Sequence, residues 1–203
     1  MASHINYKST MKKRNSSGLT LIELLVAVAI FAILAVVAVP NMKSFMRSNR
    51  LTSATNDLVT SLNLARSEAV KRAVSIKTCI SNAAQDDCDT STTNWENGWI
   101  TFIDDNNDDA IDAGEKVLRV SGSVAGGTTI RSPQFASTIT YDGAGGASSI
   151  GSFKICDEDA SAARARGINI ALSGLISLAK DTGGATTKNI YSSGTTWGEI
   201  SCP

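Results

Sequence analysis

GLTLIELLVAVAIFAILAVVAVP, residues 18–40, decides how the chain is read. From Leu19 to Val39 it runs 21 residues with a single ionisable side chain, Glu23. At about 1.5 Å of rise per residue, a helix of that length spans the hydrocarbon core of a bilayer. It is longer than the apolar core of a cleaved secretory signal, about 7–15 residues, and it ends at Pro40 rather than at a small-residue cleavage site. A plain anchor has no use for Glu23, because an unpaired acid at such a place costs about 2–3 kcal/mol. The plainer reading is that Glu23 snorkels to the cytoplasmic interface; the favoured one is that it has a charged partner. A cut between Gly18 and Leu19 supplies one: it makes Leu19 a new amino terminus, one helical turn from Glu23. The amine of a neighbouring subunit then pairs with this carboxylate and fixes the axial register in a polymer of helices.

The charge distribution agrees with a leader that is removed. The 203 residues carry 19 Lys and Arg against 19 Asp and Glu, a formal charge of zero. Lys8, Lys12, Lys13, Arg14 and the only histidine, His4, all precede Leu19, and every acid follows it. Without residues 1–18 the balance is 15 − 19 = −4. Positive charge before an apolar span is kept on the cytoplasmic side, so the remainder is expected to face outward. Met11 is an alternative start, giving the shorter leader MKKRNSSG. A chain without histidine after Leu19 has no Ser/His/Asp triad, no Cys/His dyad and no His-ligated zinc site. No enzyme, no cofactor and no small-molecule substrate is expected. Cys79, Cys88, Cys156 and Cys202 make an even count with no CxxC pair, which points to two disulfides formed in an oxidising compartment. Four cysteines allow three pairings; the favoured one joins Cys79 to Cys88 across a short loop and Cys156 to Cys202 at the tail.

Past Pro40, which should bend or loosen the helix, Leu51, Ala54, Leu58, Leu62, Ala65, Ala69 and Ala73 recur at spacings of three and four. They form one apolar stripe, with Asp57, Thr60, Arg66, Ser67 and Lys71 largely off it, so this half is expected to pack on a globular domain. Alternation and β-branching begin at Val74–Ile80 and mark the first strand. Residues 95–103 read as a turn and a strand, with Lys116–Val120 as its partner across an acidic loop. Further strands are expected at Ile139–Tyr141, Phe153–Cys156, Gly167–Leu172 and Leu175–Ala179. Gly126-Gly127 and Gly143–Gly146 mark turns. The tail is expected to pack back on the sheet through Trp197 and Cys202.

Two further patterns have competing readings. Asp104, Asn106, Asp108, Asp112 and Glu115 fall on positions one, three, five, nine and twelve of a calcium-loop template. Position six, normally glycine, is Asp109, and the flanks read as strands, so a hairpin turn with solvated charge is favoured and no metal is expected. Trp95 and Trp99 are placed in the core in preference to an exposed ligand platform.

The segment Gly18-Leu19-Thr20-Leu21-Ile22-Glu23, with its apolar run to Pro40, resembles the class III leader and N-terminal helix of type IV pilins and type II secretion pseudopilins. The resemblance implies cleavage after Gly18 and N-methylation of Leu19 by a prepilin peptidase, and an assembly role for Glu23 and Pro40. Leu64–Arg72 leading into the Cys79 strand, then Trp95, Gly98, Trp99, Phe102, Gly114-Glu115 and Val117-Leu118-Arg119, and finally Arg166, Ile168, Ile170 and Gly174, resemble the GspH/FimT family. DNA-binding, FimT-like members carry a Gly-Arg-x-Arg motif; here the matching stretch is Gly174-Leu175-Ile176-Ser177, without either arginine. DNA affinity rests on neutralising phosphates, so nucleic acid is placed last among the partners. Arg164 and Arg166 are expected to be solvated or paired with Asp157, Glu158 or Asp159.

The expected architecture is α+β: a leader at 1–18, a transmembrane and filament-core helix at 19–40, its amphipathic continuation at 41–76, and an antiparallel β-rich domain at 77–203. The expected function is that of a FimU-like minor pilin, a structural subunit acting in assembly initiation or in a tip complex with other minor pilins and the major pilin. A GspH-like pseudopilin of type II secretion is the alternative. Such a chain starts in the inner membrane of a Gram-negative bacterium as a single-pass precursor and ends in the periplasm or in a cell-surface pilus.

Overall fold

The computed structural model describes residues 20–161, 164–179, 189–193, 196–199 and 202. Helix α1 (Leu21–Arg72) is continuous through Pro40. The chain divides into two compact units, Met1–Lys43 and Ser44–Pro203. In the first, the described side chains of α1 are solvent-exposed, Ala35 only partly: Leu21 is 79% exposed, Phe31 73% and Leu34 62%. Among the described residues this is the one helix long and apolar enough to cross a membrane.

The second unit is built on the amphipathic half of α1. Leu51, Ala54, Leu58, Leu62, Ala65 and Ala69 are buried in the main core, as the stripe predicts. Ala73 is not: it is exposed and sits at φ 56°, one residue past the end of the helix. The helix therefore stops at Arg72 and the first strand, β1, starts at Ile76, so the helical continuation expected over 41–76 ends short of its expected bound, and residue 76 already belongs to the strand.

The strands are β1 (Ile76–Ile80), β2 (Trp99–Ile103), β3 (Val117–Ser121), β4 (Thr129–Arg131), β5 (Thr138–Tyr141), β6 (Gly151–Cys156), β7 (Arg166–Ile170), β8 (Ile176–Leu178), β9 (Asn189–Ser193) and β10 (Thr196–Glu199). They form two four-stranded antiparallel sheets and a hairpin, in the orders β3-β2-β1-β5, β4-β6-β7-β8 and β10-β9. The antiparallel β-rich domain expected is present, divided among these sheets. Strand β4 pairs with β6 while β5 returns to pair with β1, so the chain changes sheet between short strands. Local alternation says that a strand exists; it does not say which sheet the strand joins.

Inward-facing side chains of both sheets meet α1 in one core containing Ile76, Ile80, Trp99, Ile103, Ile139, Tyr141, Phe153, Ile155, Ile168 and Ile170. The two tryptophans are fully buried, which overturns the ligand-platform reading. The Trp99 indole donates to Ser61 Oγ at 2.8 Å and ties β2 to the helix. Trp95 donates to the Phe135 carbonyl at 2.9 Å and meets Phe153 edge-on at 4.9 Å. A buried indole N–H needs such a partner.

Both residue faces of β1 and β2 are buried. On the face away from the helix, Cys79, Ile100 and Phe102 are covered by Cys88 and Ile111. Cys79 and Cys88 form a disulfide, and so do Cys156 and Cys202. The second bond fixes the tail at Cys202; the packing expected of the Trp197 side chain lies outside the described residues.

Candidate functional site

The residues that sequence analysis singles out for assembly lie at the start of α1. Gly18 and Leu19 are outside the described residues. Thr20 is the helix N-cap: its Oγ1 accepts the Glu23 N–H at 3.3 Å, and its carbonyl accepts the Leu24 N–H at 3.2 Å. Glu23 is exposed in the first helical turn, where a carboxylate also complements the positive end of the helix dipole by about 0.3–1 kcal/mol. Sequence analysis quotes Thr20 within the leader motif and gives it no role; the structure makes it the cap of α1. Its signal was present, since Thr20-Leu21-Ile22-Glu23 has the Thr-x-x-Glu spacing of a capping box. Pro40 lies within the same helix.

In the second unit, the candidate metal loop between β2 and β3 is closed by the chain's own cation. Lys77, on the outer face of β1, places its ammonium 2.5 Å from Asp104 and 2.5 Å from Asp109. Asp104 also accepts the backbone N–H groups of Asn107 (2.5 Å) and Asp109 (3.2 Å). Burial alone would raise the Asp104 pKa; the Lys77 ammonium and the two backbone donors outweigh it and hold the carboxyl below its ordinary range. Burial likewise works to lower the Lys77 pKa, and the two carboxylates raise it instead. Asn106 donates to Asp108 and Asp112, and Glu115 accepts from Asp105 and Asp112 backbone N–H groups. The template spacing is that of a self-bonded hairpin turn, with Asn107 and Asp109 at φ 60° and 69°.

Arg164 pairs with Asp157 at 2.5 Å and Asp159 at 3.1 Å, and Arg166 donates to the carbonyls of Arg164 and Ala165. Arg47 reaches Glu158 and Asp159 from α1. Arg164 and Arg166 are occupied within the β6–β7 connection, and Arg47 ties that connection to the helix. The Gly174-Leu175-Ile176-Ser177 stretch ends the β7–β8 turn and enters β8. Gly174 has φ 73°, and a Cβ there would meet the Gly145 carbonyl oxygen at 2.0 Å. Arg66 fastens this turn to α1 through the Gly145 and Ser173 carbonyls, each at 3.1 Å. Leu172 and Leu175 stand exposed on either side.

The model of the GspH family, type II transport protein GspH, matches residues 54–174, from the amphipathic half of α1 to the β7–β8 turn. The chain belongs to the GspH family. The prokaryotic N-terminal methylation motif matches residues 13–39 of this GspH-family chain. No curated protein matches it in sequence. Among solved structures it is similar to the type IV minor pilin FimU of Pseudomonas aeruginosa. One crystal form is 24% identical with TM-score 0.50, covering 66% of this chain and 91% of that one. A second crystal form is 22% identical with TM-score 0.46, covering 63% and 91%. The first likeness is one of fold: a long N-terminal helix carrying an antiparallel β domain, the pilin fold. The family consists of structural pilin subunits, and the methylation motif with its apolar helix places the chain among membrane-anchored, pilin-like proteins.

Proposed function

We propose that this chain is a minor pilin, a structural subunit that acts in initiating a type IV pilus or in its tip complex. The observation that carries the reading is the exposed apolar segment of α1, capped by Thr20 and bearing one acid, Glu23, one turn from the Gly18–Leu19 bond. In this reading residues 1–18 are the leader. A prepilin peptidase cuts after Gly18 and methylates the Leu19 amine. The precursor waits as a single-pass protein of a Gram-negative inner membrane, and residues 19–40 then leave the bilayer for the filament core. Glu23 pairs there with the terminal amine of a neighbouring pilin, which relieves the cost of an acid in an apolar setting. Pro40 divides this packing segment from the helix that carries the domain. The β-rich domain selects the pilins above and below.

A pseudopilin of type II secretion is the second reading, favoured by the match to the GspH description. DNA uptake is the third and is disfavoured, because Arg164 is paired and no arginine stands on the β7–β8 turn. Glu23→Ala tests the shared core of the first two. The variant is expected to insert in the membrane and fold normally and to be depleted from sheared filaments. Normal incorporation would remove the pairing from the account. Host phenotype separates the systems: loss of piliation on deletion supports the pilus, and loss of secreted enzymes with normal pili supports the secretion system.

A further inference from the structure

The small core on the outer face of β1 and β2 is closed by irregular chain alone. Cys79, Ile100 and Phe102 are buried there, on the side away from α1. Their cover has two parts: the loop 81–94 between β1 and β2, through Cys88, and the turn 104–116 between β2 and β3, through Ile111. The two parts touch, since Asp87 accepts the Ile111 N–H at 3.3 Å. The loop is bonded covalently to the sheet by Cys79–Cys88. The turn is held from below by Lys77, through Asp104 and Asp109. Charge works against this closure. Asp86, Asp87 and Asp89 on the loop lie in the same cover as Asp105, Asp108, Asp112 and Glu115 on the turn. None of the seven makes an ion pair among the described residues; Lys77 is taken by Asp104 and Asp109, and Lys116, at the foot of β3, is exposed. Like charges held together in this way repel, and salt screens the repulsion over about 10 Å at 0.1 M. What lies beneath is apolar. Val120 and Val117 on β3 stand opposite Ile100 and Phe102 in register and are already exposed at the rim.

We infer that Cys79–Cys88 is the latch of an acidic flap, a redox-sensitive cover over the apolar strip of β2 and β3. Oxidation closes it: the two thiols give up two electrons and two protons to the disulfide of an oxidant, which leaves as a dithiol, and the S–S bond forms. A reducing dithiol runs the exchange backwards and enters at Cys88, which is half-buried, because Cys79 is only 1% exposed. With the bond broken, Lys77, Ile111 and the Asp87 hydrogen bond are left to oppose the seven acids. Loop and turn then lift together and uncover Ile100 and Phe102 beside Val117 and Val120. The main core is made by the opposite faces of the same strands and α1, so it stays folded. The flap is therefore an opening unit of its own, with a free energy below that of global unfolding. Cys156–Cys202 joins β6 of the other sheet to the tail and is not part of it. The inference holds for either filament system, since it concerns the β domain alone.

The test is amide hydrogen exchange read by mass spectrometry on the full chain in non-ionic detergent, comparing the oxidised parent with Cys79→Ala/Cys88→Ala. At low salt, exchange in 81–89 and 104–115 is expected to rise about tenfold or more in the variant, while 51–69 of α1 and 151–156 and 166–170 of the second sheet keep the parental rate. Raising sodium chloride to about 0.5 M is expected to remove most of that rise, because it screens the acids. Ile111→Ala keeps the disulfide and removes the apolar contact of the turn, so it tests the same cover should the double variant not fold. It is expected to raise exchange in 104–115 and to leave 51–69 unchanged. Parental exchange in the turn of both variants overturns the inference. So does a rise that spreads to 51–69 or 151–156 in Ile111→Ala or in a folded double variant, which would make the cover part of the main core. A rise that salt leaves untouched overturns it as well, because the acids would then not drive the opening.

Discussion

Lys77 shows how one side chain decides between two chemistries. In sequence it is an outward position of a short strand; in the fold it is the cation of the Asp104–Asp109 turn, with its side chain 6% exposed and that of Asp104 fully buried. Removing one partner of a buried pair strands the other, so Lys77→Met should cost about 3–5 kcal/mol at neutral pH in urea unfolding. The sign with pH follows from the directions of the shifts. Asp104 and Asp157 sit below their ordinary value of 3.8 in the folded state, so the stability they contribute is present above that value and lost as pH falls through and below it. Lys77 sits above 10.5, so its contribution holds up to that pH and is lost only beyond it. The parent should therefore hold a plateau across neutral pH and weaken below about pH 4. In Lys77→Met the unpaired Asp104 is easier to protonate, so the gap between parent and variant should narrow on the acid side. A gap that stays constant down to pH 3.5 would contradict the assigned pairing.

At the scale of elements, α1 was legible because its signals repeat: the uncharged run after Gly18, then the Leu and Ala stripe from Leu51 to Ala69. Its end was not, because no Gly, Asn or Pro marks it. Ala73 takes the left-handed conformation that ends a helix, at a cost a glycine avoids. Ala73→Gly should stabilise the chain by about 1 kcal/mol; a loss of stability would mean that the helix continues past Arg72. The central strands were readable from Val, Ile, Trp and Phe alternation. Strand β4 was missed because Thr129–Arg131 is three residues long and offers one buried apolar side chain, Ile130. Spacing favoured the disulfide pairing that forms without excluding the other two, and size placed Trp95 and Trp99 in the core. The Thr20 cap was written in the sequence as well, but a lone Thr-x-x-Glu spacing is a pattern that an apolar search passes over.

For the whole molecule, charge and assembly are connected. Residues 81–115 hold ten acids and no Lys or Arg; apart from Glu96, which pairs with Arg131, they lie in or beside the Cys79–Cys88 loop and the β2–β3 turn, which Asp87 joins by accepting the Ile111 N–H at 3.3 Å. The exposed face of α1 between residues 44 and 70 carries one charged side chain, Arg50, and its N-terminal segment is apolar apart from Glu23. A chain divided in this way places its hydrophilic surface on the β domain and leaves the helix for packing against other helices. That division is what a polymer of pilin-like subunits requires, and it depends on the helix being released from its leader. The most direct measurement is mass spectrometry of the N-terminal peptide of this chain, taken from sheared filaments and from the membrane fraction of the same cells. The account predicts that the filament form begins at an N-methylated Leu19, while a form retaining residues before it is confined to the membrane. A filament form that keeps the leader, or a mature form found only in the membrane, would contradict it.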